Sequence, residues 1–251
     1  MRRPGALVLA AALALVPAPA AHAAGPSDPA AVAVAAEVME ALGGEARWNA
    51  LPGLRWTFGV SIGDTVRAER RHAWNKHTGM HRVEGVDRAG DHYVIVQDLD
   101  TAEGRAWVAG NDVEGDSLAT LIERGKALWI NDTYWMLMPY KMRDPGVTLT
   151  LEQPVTRDGE VFDVVAMRFE QVGLTPGDRY WVEIDRDERR VRAWEMLLQG
   201  REPPPGRSTW EGWEVHEGLW FPTAHRQENR NVFMRDVETV RDFRAGEFTA
   251  P

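Results

Sequence analysis

The chain has 251 residues, no cysteine, eleven tryptophans, and 29 basic against 38 acidic side chains, a formal net charge of −9. Without cysteine it forms no disulfide and holds no thiol nucleophile, Cys-ligated zinc or iron–sulfur cluster. The acid excess speaks against a nucleic-acid binder, which needs a basic face.

Arg2 and Arg3, the apolar run Ala6 to Val16 and the A-x-A site Ala21-His22-Ala23 predict a cleaved secretory signal peptide over 1–23, too short to span a bilayer. Cleavage leaves 228 residues and removes two arginines and no acid, taking the charge to −11. No cysteine follows the site and no later run reaches membrane-spanning length. The expectation is therefore a soluble exported monomer without a lipid anchor or integral membrane segment. Its expected compartment is the periplasm, with secretion as the alternative.

Ser27 or Asp28 can cap a helix with Pro29 in its first turn. Val32, Ala35, Ala36, Met39 and Leu42 keep the helical period until Gly43-Gly44. A short turn carries Trp48 and Leu51. The period then becomes two: Leu54, Trp56, Phe58, Val60 and Ile62 alternate with polar or small residues, a half-buried strand. Further strands are predicted at about 65–77, 80–86, 91–98 and 103–109. Thr120 to Glu123 reads as a capping box, and Leu118, Leu121, Ile122, Leu128 and Trp129 fit one helix face. Residues 134–140 are apolar without a clean strand period, with Asp132 placed as the cap of a short helix and Asp144-Pro145-Gly146 as a turn. Strands resume at about 147–153, 160–170, 179–185, 190–199, 207–216, 219–228 and 232–243. Closely spaced strands pair antiparallel. The fold class is mainly β (α+β): a strongly curved antiparallel sheet, an incomplete β-barrel of about a dozen strands. An N-terminal helix precedes it, and a helical lid insertion occupies about 115–145. A sheet of that size curls, and its hollow must be filled by side chains, helices or a ligand.

Two stretches resemble a known group. Tyr180-Trp181-Val182-Glu183-Ile184-Asp185, a charged turn and Val191-Arg192-Ala193-Trp194-Glu195 look like the strand–turn–strand hairpin of the LolA/LolB-like lipoprotein carriers. Asn131 to Lys141 with Asp144-Pro145-Gly146 looks like an uncharacterised exported branch of that group. The resemblance implies one half-barrel domain over 24–251, periplasmic, with helices over its concave face. It also implies a carrier of lipid or lipoprotein acyl chains.

The tryptophans read either as core or as the wall of a ligand cavity. The insertion offers Trp129, Tyr134, Trp135, Met136, Met138 and Tyr140 within a dozen residues, with methionines that adapt to irregular shapes. With Trp56 and Phe58 of the first strand and Lys141 at the mouth, these are the candidate ligand-binding residues. The expected ligand is a lipid or an acylated lipoprotein. The acidic surface disfavours unspecific adhesion to anionic membranes, so handover requires contact with an envelope membrane-protein partner.

No catalytic residue, cofactor or metal is expected. Gly59-Val60-Ser61-Ile62-Gly63 matches the nucleophile-elbow pattern but lies on a strand without the βα context that pattern needs. A two-residue turn at Thr78-Gly79 would pair His77 with Met80 and His81 with Lys76. It would send His77 and His81 to opposite faces, and His72 and His77 also differ in parity, against a metal site. Two other readings stay open. One is an exported enzyme using Asp132, Tyr140, Lys141 or histidines in the same cavity; the other is a ligand-free sensor or structural domain.

Overall fold

The computed structural model describes residues 26–170, 175 and 177–251; the expected signal peptide over 1–23 lies outside them. Helix α1 (Pro29–Ala41) begins where Asp28 accepts the Ala30 N–H at 2.9 Å, and Pro29 supplies a preset φ. Its Ala31, Ala35, Val38 and Met39 are buried. Where the sequence indicated a turn, a short helix α2 (Glu45–Ala50) precedes the first strand.

Eight strands form the larger sheet: β1 (Gly53–Ile62), β2 (Thr65–Asn75), β3 (Met80–Val86), β4 (His92–Asp98), β5 (Gly104–Val108), β6 (Asn111–Val113), β14 (Ala224–Arg226) and β15 (Arg230–Val240). Their order is β14-β15-β1-β2-β3-β4-β5-β6. A five-stranded sheet contains β7 (Val147–Arg157), β8 (Glu160–Phe169), β9 (Arg179–Asp185), β10 (Val191–Leu197) and β11 (Gly206–Thr209), in the order β11-β10-β9-β8-β7. The hairpin β12 (Glu214–His216) and β13 (Leu219–Phe221) stands apart.

The two sheets adjoin along β11 and β14. Glu211 and Ala224 form a bridge, His225 Nδ1 lies 3.0 Å from the Thr209 carbonyl, and the Arg226 N–H donates to the Thr209 hydroxyl. Thirteen strands thus follow one curved, unclosed antiparallel surface with β6 and β7 as its outermost strands among the described residues. At the β7 edge, the Asp28 N–H donates to the Leu149 carbonyl and the Leu149 N–H to the Ser27 hydroxyl. The single sheet anticipated from sequence is two sheets joined at a seam. Its long last strands are broken at Trp210–Trp213 and at Pro222–Thr223.

The insertion is one 27-residue helix, α3 (Gly115–Lys141), rather than two segments. Thr120 does not start it; its hydroxyl donates to the Asp116 carbonyl inside the first turns. Pro139 sits within the last turn. The N-terminal half packs on Val83, Tyr93, Ile95 and Ala106 of the larger sheet. Gly125 permits that approach: a Cβ there would come within 2.9 Å of the Ile95 side chain and 3.0 Å of the Gln97 amide. The C-terminal half enters the main core with α1, β1 and the five-stranded sheet.

Candidate functional site

A cavity of about 600 Å³ lies between the C-terminal half of α3 and one end of the five-stranded sheet. Helix α3 contributes Trp129, Ile130, Asn131, Thr133, Tyr134, Trp135 and Lys141. The facing wall follows from strand register. Met196 pairs with Tyr180 and Phe169 with Val147, so these four lining residues come from cross-strand neighbours on β10, β9, β8 and β7. Trp194, two residues from Met196, shares its face. The rings interlock: Tyr134 to Trp194 at 5.9 Å, Trp135 to Trp194 at 5.0 Å, Tyr180 to Trp194 at 5.0 Å and Phe169 to Tyr180 at 5.4 Å between centroids. Aromatic pairs at such offsets are favourable beyond their buried area.

The polar lining is sparse. Lys141 donates to Asp144 at 2.5 Å. Asp178 is buried and accepts from the Gln199 N–H at 2.7 Å, the Thr175 hydroxyl at 2.5 Å and the Tyr180 hydroxyl at 3.3 Å. Arg230 places its guanidinium carbon 6.0 Å from the centre of the Trp135 ring. The Trp129 and Trp194 indole N–H groups and the Tyr134 hydroxyl are out of contact with solvent and have no hydrogen-bond partner among the described residues. Burial pushes the Tyr134 and Tyr180 phenols up, so both hydroxyls keep their protons.

Trp129, Tyr134, Trp135 and Lys141 of the sequence-selected residues therefore line this cavity, and the other five do not. Met136 and Met138 are fully buried in the main core. Tyr140 donates to the Trp220 carbonyl at 2.8 Å and lies 3.1 Å from the Leu42 carbonyl, tying α3 to β13 and the end of α1. Trp56 stacks on His72 at 4.6 Å, and Phe58 lies under Arg70 at 4.8 Å. Sequence reasoning missed Phe169, Tyr180, Trp194, Met196 and Arg230 as lining residues. Period-two parity offered one signal, since Tyr180 shares its face with the buried Val182 and Ile184.

A second polar feature lies beneath the middle of α3. Asp132 is not a cap: it is fully buried in mid-helix. It accepts two bonds from Arg70, at 2.7 and 2.9 Å, and one from Asn131 at 2.8 Å. The turn between β2 and β3 is longer than two residues. Asn75 accepts the His77 and Thr78 N–H groups, and Trp74, not Lys76, pairs with His81. The two-residue shift keeps His72 and His81 on one face and sets His81 opposite Trp74, two residues from His72, so the histidine rings meet. His72 Nε2 is 3.0 Å from Asp132, His72 Nδ1 is 3.0 Å from His81 Nε2, and His81 Nδ1 is 3.3 Å from the Gln97 amide nitrogen. A carboxylate only accepts, so His72 carries its proton on Nε2 and His81 does likewise, with Gln97 donating at the end. Burial would raise the Asp132 carboxyl, but the bonds from His72 and Arg70 outweigh it and hold the carboxyl below the ordinary range. Burial holds His72 below its usual value despite Asp132, and His81 well below. Among the described residues, no three His, Asp or Glu side chains are placed to hold a metal ion.

Of the residues considered for chemistry, Asp132, His72 and His81 meet in this buried chain of bonds outside the aromatic cavity, while Tyr140 belongs to the α1–β13 tether and Lys141 to Asp144. The Gly59–Gly63 motif runs along and just past β1, which pairs with β15 and β2 on its two sides.

No family model matches the chain, and no curated protein matches it in sequence. Its fold is similar to solved structures. A DUF1329 family protein from Desulfovibrio piger superposes with a TM-score of 0.52 at 12% identity, covering 89% of this chain and 98% of that one. A LolA superfamily protein from Nitrosomonas europaea superposes with a TM-score of 0.50 at 11% identity, covering 87% and 97%. The architecture is thus the LolA-like one that the two sequence stretches implied.

Proposed function

We propose that this LolA-like protein is an exported binding or carrier protein for an apolar ligand, held between α3 and the five-stranded sheet. The observation that carries this reading is the aromatic cavity of about 600 Å³ walled by Trp129, Tyr134, Trp135, Phe169, Tyr180 and Trp194. Cavities of this size and lining are the usual form of small-molecule sites. The ligand class is lipid or acyl chain, in keeping with the LolA-superfamily name of one structural neighbour.

The energetics are sufficient without any reacting group. Each methylene removed from water contributes about 0.8 kcal/mol, so a chain of about fourteen methylenes contributes roughly 11 kcal/mol. Association costs of at least about 4 kcal/mol leave about 7 kcal/mol, a dissociation constant on the order of 10 µM. That is tight enough to extract a lipid and loose enough to release it. The A-x-A segment supports a periplasmic address, and no helix among the described residues is long and apolar enough to cross a membrane.

Native mass spectrometry of protein purified from its own cell envelope tests the reading. A co-purifying lipid, together with quenching of tryptophan fluorescence when hexadecanoate or hexadecanol is added, is the expected result. Protein that arrives bare and whose fluorescence ignores both compounds would sink it.

A further inference from the structure

We infer that the cavity takes one single-chain amphiphile with an anionic head group, a carboxylate or a phosphate monoester, and that Arg230 binds that head group. The inference rests on the ligand-binding reading above and narrows it in two respects.

The first is capacity. At about 30 Å³ per water-sized group, 600 Å³ holds on the order of twenty heavy atoms. One acyl chain with its head group fills that space. The three chains of a triacylated lipoprotein exceed it severalfold.

The second is charge and hydrogen-bond polarity. Two cations line the cavity, and Lys141 is matched by Asp144. Arg230 is half-buried against Trp135 and has no carboxylate partner among the described residues. Residues 1–25, 171–174 and 176, outside that set, contain no aspartate or glutamate. The remaining buried carboxylate, Asp178, is already met by three donors. A guanidinium held against an apolar wall gains most from a planar or tetrahedral oxyanion that accepts two of its N–H groups. Arg230 is thus the lining cation without an ionic partner among the described residues, and an oxyanion in the cavity supplies the acceptor its N–H groups lack.

The test compares hexadecanoate, hexadecyl phosphate, hexadecanol and a triacylated lipopeptide by titration calorimetry, on the native protein and on Arg230→Gln and Arg230→Lys. The native protein should bind at least one of the two anions about tenfold tighter than the alcohol. Whichever is preferred identifies carboxylate or phosphate as the head group. Arg230→Gln should bring the anion down to the level of the alcohol, and Arg230→Lys should keep part of the preference. The lipopeptide should not displace bound hexadecanoate. Equal binding of anions and alcohol by the native protein overturns the inference while the ligand-binding reading stands, and needs no variant to fold. An Arg230→Gln protein that melts like the native one and keeps the preference also overturns it. Displacement by the lipopeptide overturns the single-chain part. Failure of all four compounds to bind overturns the ligand-binding reading and this inference with it.

Discussion

His72, His81 and His225 are neutral in the fold because each is buried where a second proton would be an uncompensated charge. Burial takes His225 down to about 3, against the opposing pull of the Thr209 carbonyl, and also lowers His72 and His81. The unfolded chain binds protons at these sites near pH 6.5, so stability is full above that value and falls as pH drops towards the folded-state values. Each such histidine contributes a slope of up to about 1.4 kcal/mol per pH unit. The melting temperature should therefore decline progressively from pH 6.5 to pH 4.5, and triple replacement by Gln should flatten that decline. A flat profile in the native protein contradicts the assignment. Asp132 adds a separate term at lower pH, since its depressed carboxyl stabilises the fold until pH falls through its own range. Removing its charge by Asp132→Asn leaves Arg70 without its buried partner, and urea unfolding should show a loss of about 3–5 kcal/mol.

Helix α3 is the element that organises the site, because one half binds the larger sheet and the other half forms the cavity wall. Its register rests on Gly125. Alanine is the better helix former by about 1 kcal/mol, yet its methyl would press on Ile95 and Gln97. Gly125→Ala should therefore lower the unfolding free energy by about 1–2 kcal/mol in a denaturant titration, where propensity alone predicts a gain. The helix was only half legible in the sequence. Leu118 to Trp129 kept its period, but Asp132 read as the cap of a separate short helix and 134–140 showed no clean period. The polar residues are tolerated inside because Asp132 finds Arg70 and His72, some sixty residues earlier in the chain, and Thr133 donates back to the Trp129 carbonyl. Local patterning cannot report a partner so far away. Strands β3 and β9 were legible to the residue, since each is a short alternating run bounded by turns. The His72–His81 contact was not. It depends on the length of the 76–79 turn: pairing His81 with Trp74 instead of Lys76 shifts the register by two residues, which leaves both histidines on one face and brings His81 within reach of His72.

At the scale of the whole molecule, a curved sheet that does not close must cover its hollow, and here core and cavity share the task. Met136, Met138, Trp56 and Phe58 serve the main core alone, while Trp194 and Tyr180, also part of that core, join Phe169 in walling the cavity. Sequence selected the right segment for the cavity's helical wall but not its opposite wall, which exists only after β7 to β10 have paired. The two joined sheets, the α1 segment along β7 and the single long helix thus place one opening at one end of the smaller sheet. On the proposal above, an acyl chain occupies that opening. Cocrystals with hexadecanoate brominated at its last carbon test it most directly through the anomalous signal of bromine. A single bromine site among Tyr134, Tyr180 and Trp194, with the carboxylate towards Arg230, is the expected result. A bromine site on the outer face of either sheet, with the aromatic cavity free of ligand density, would contradict it.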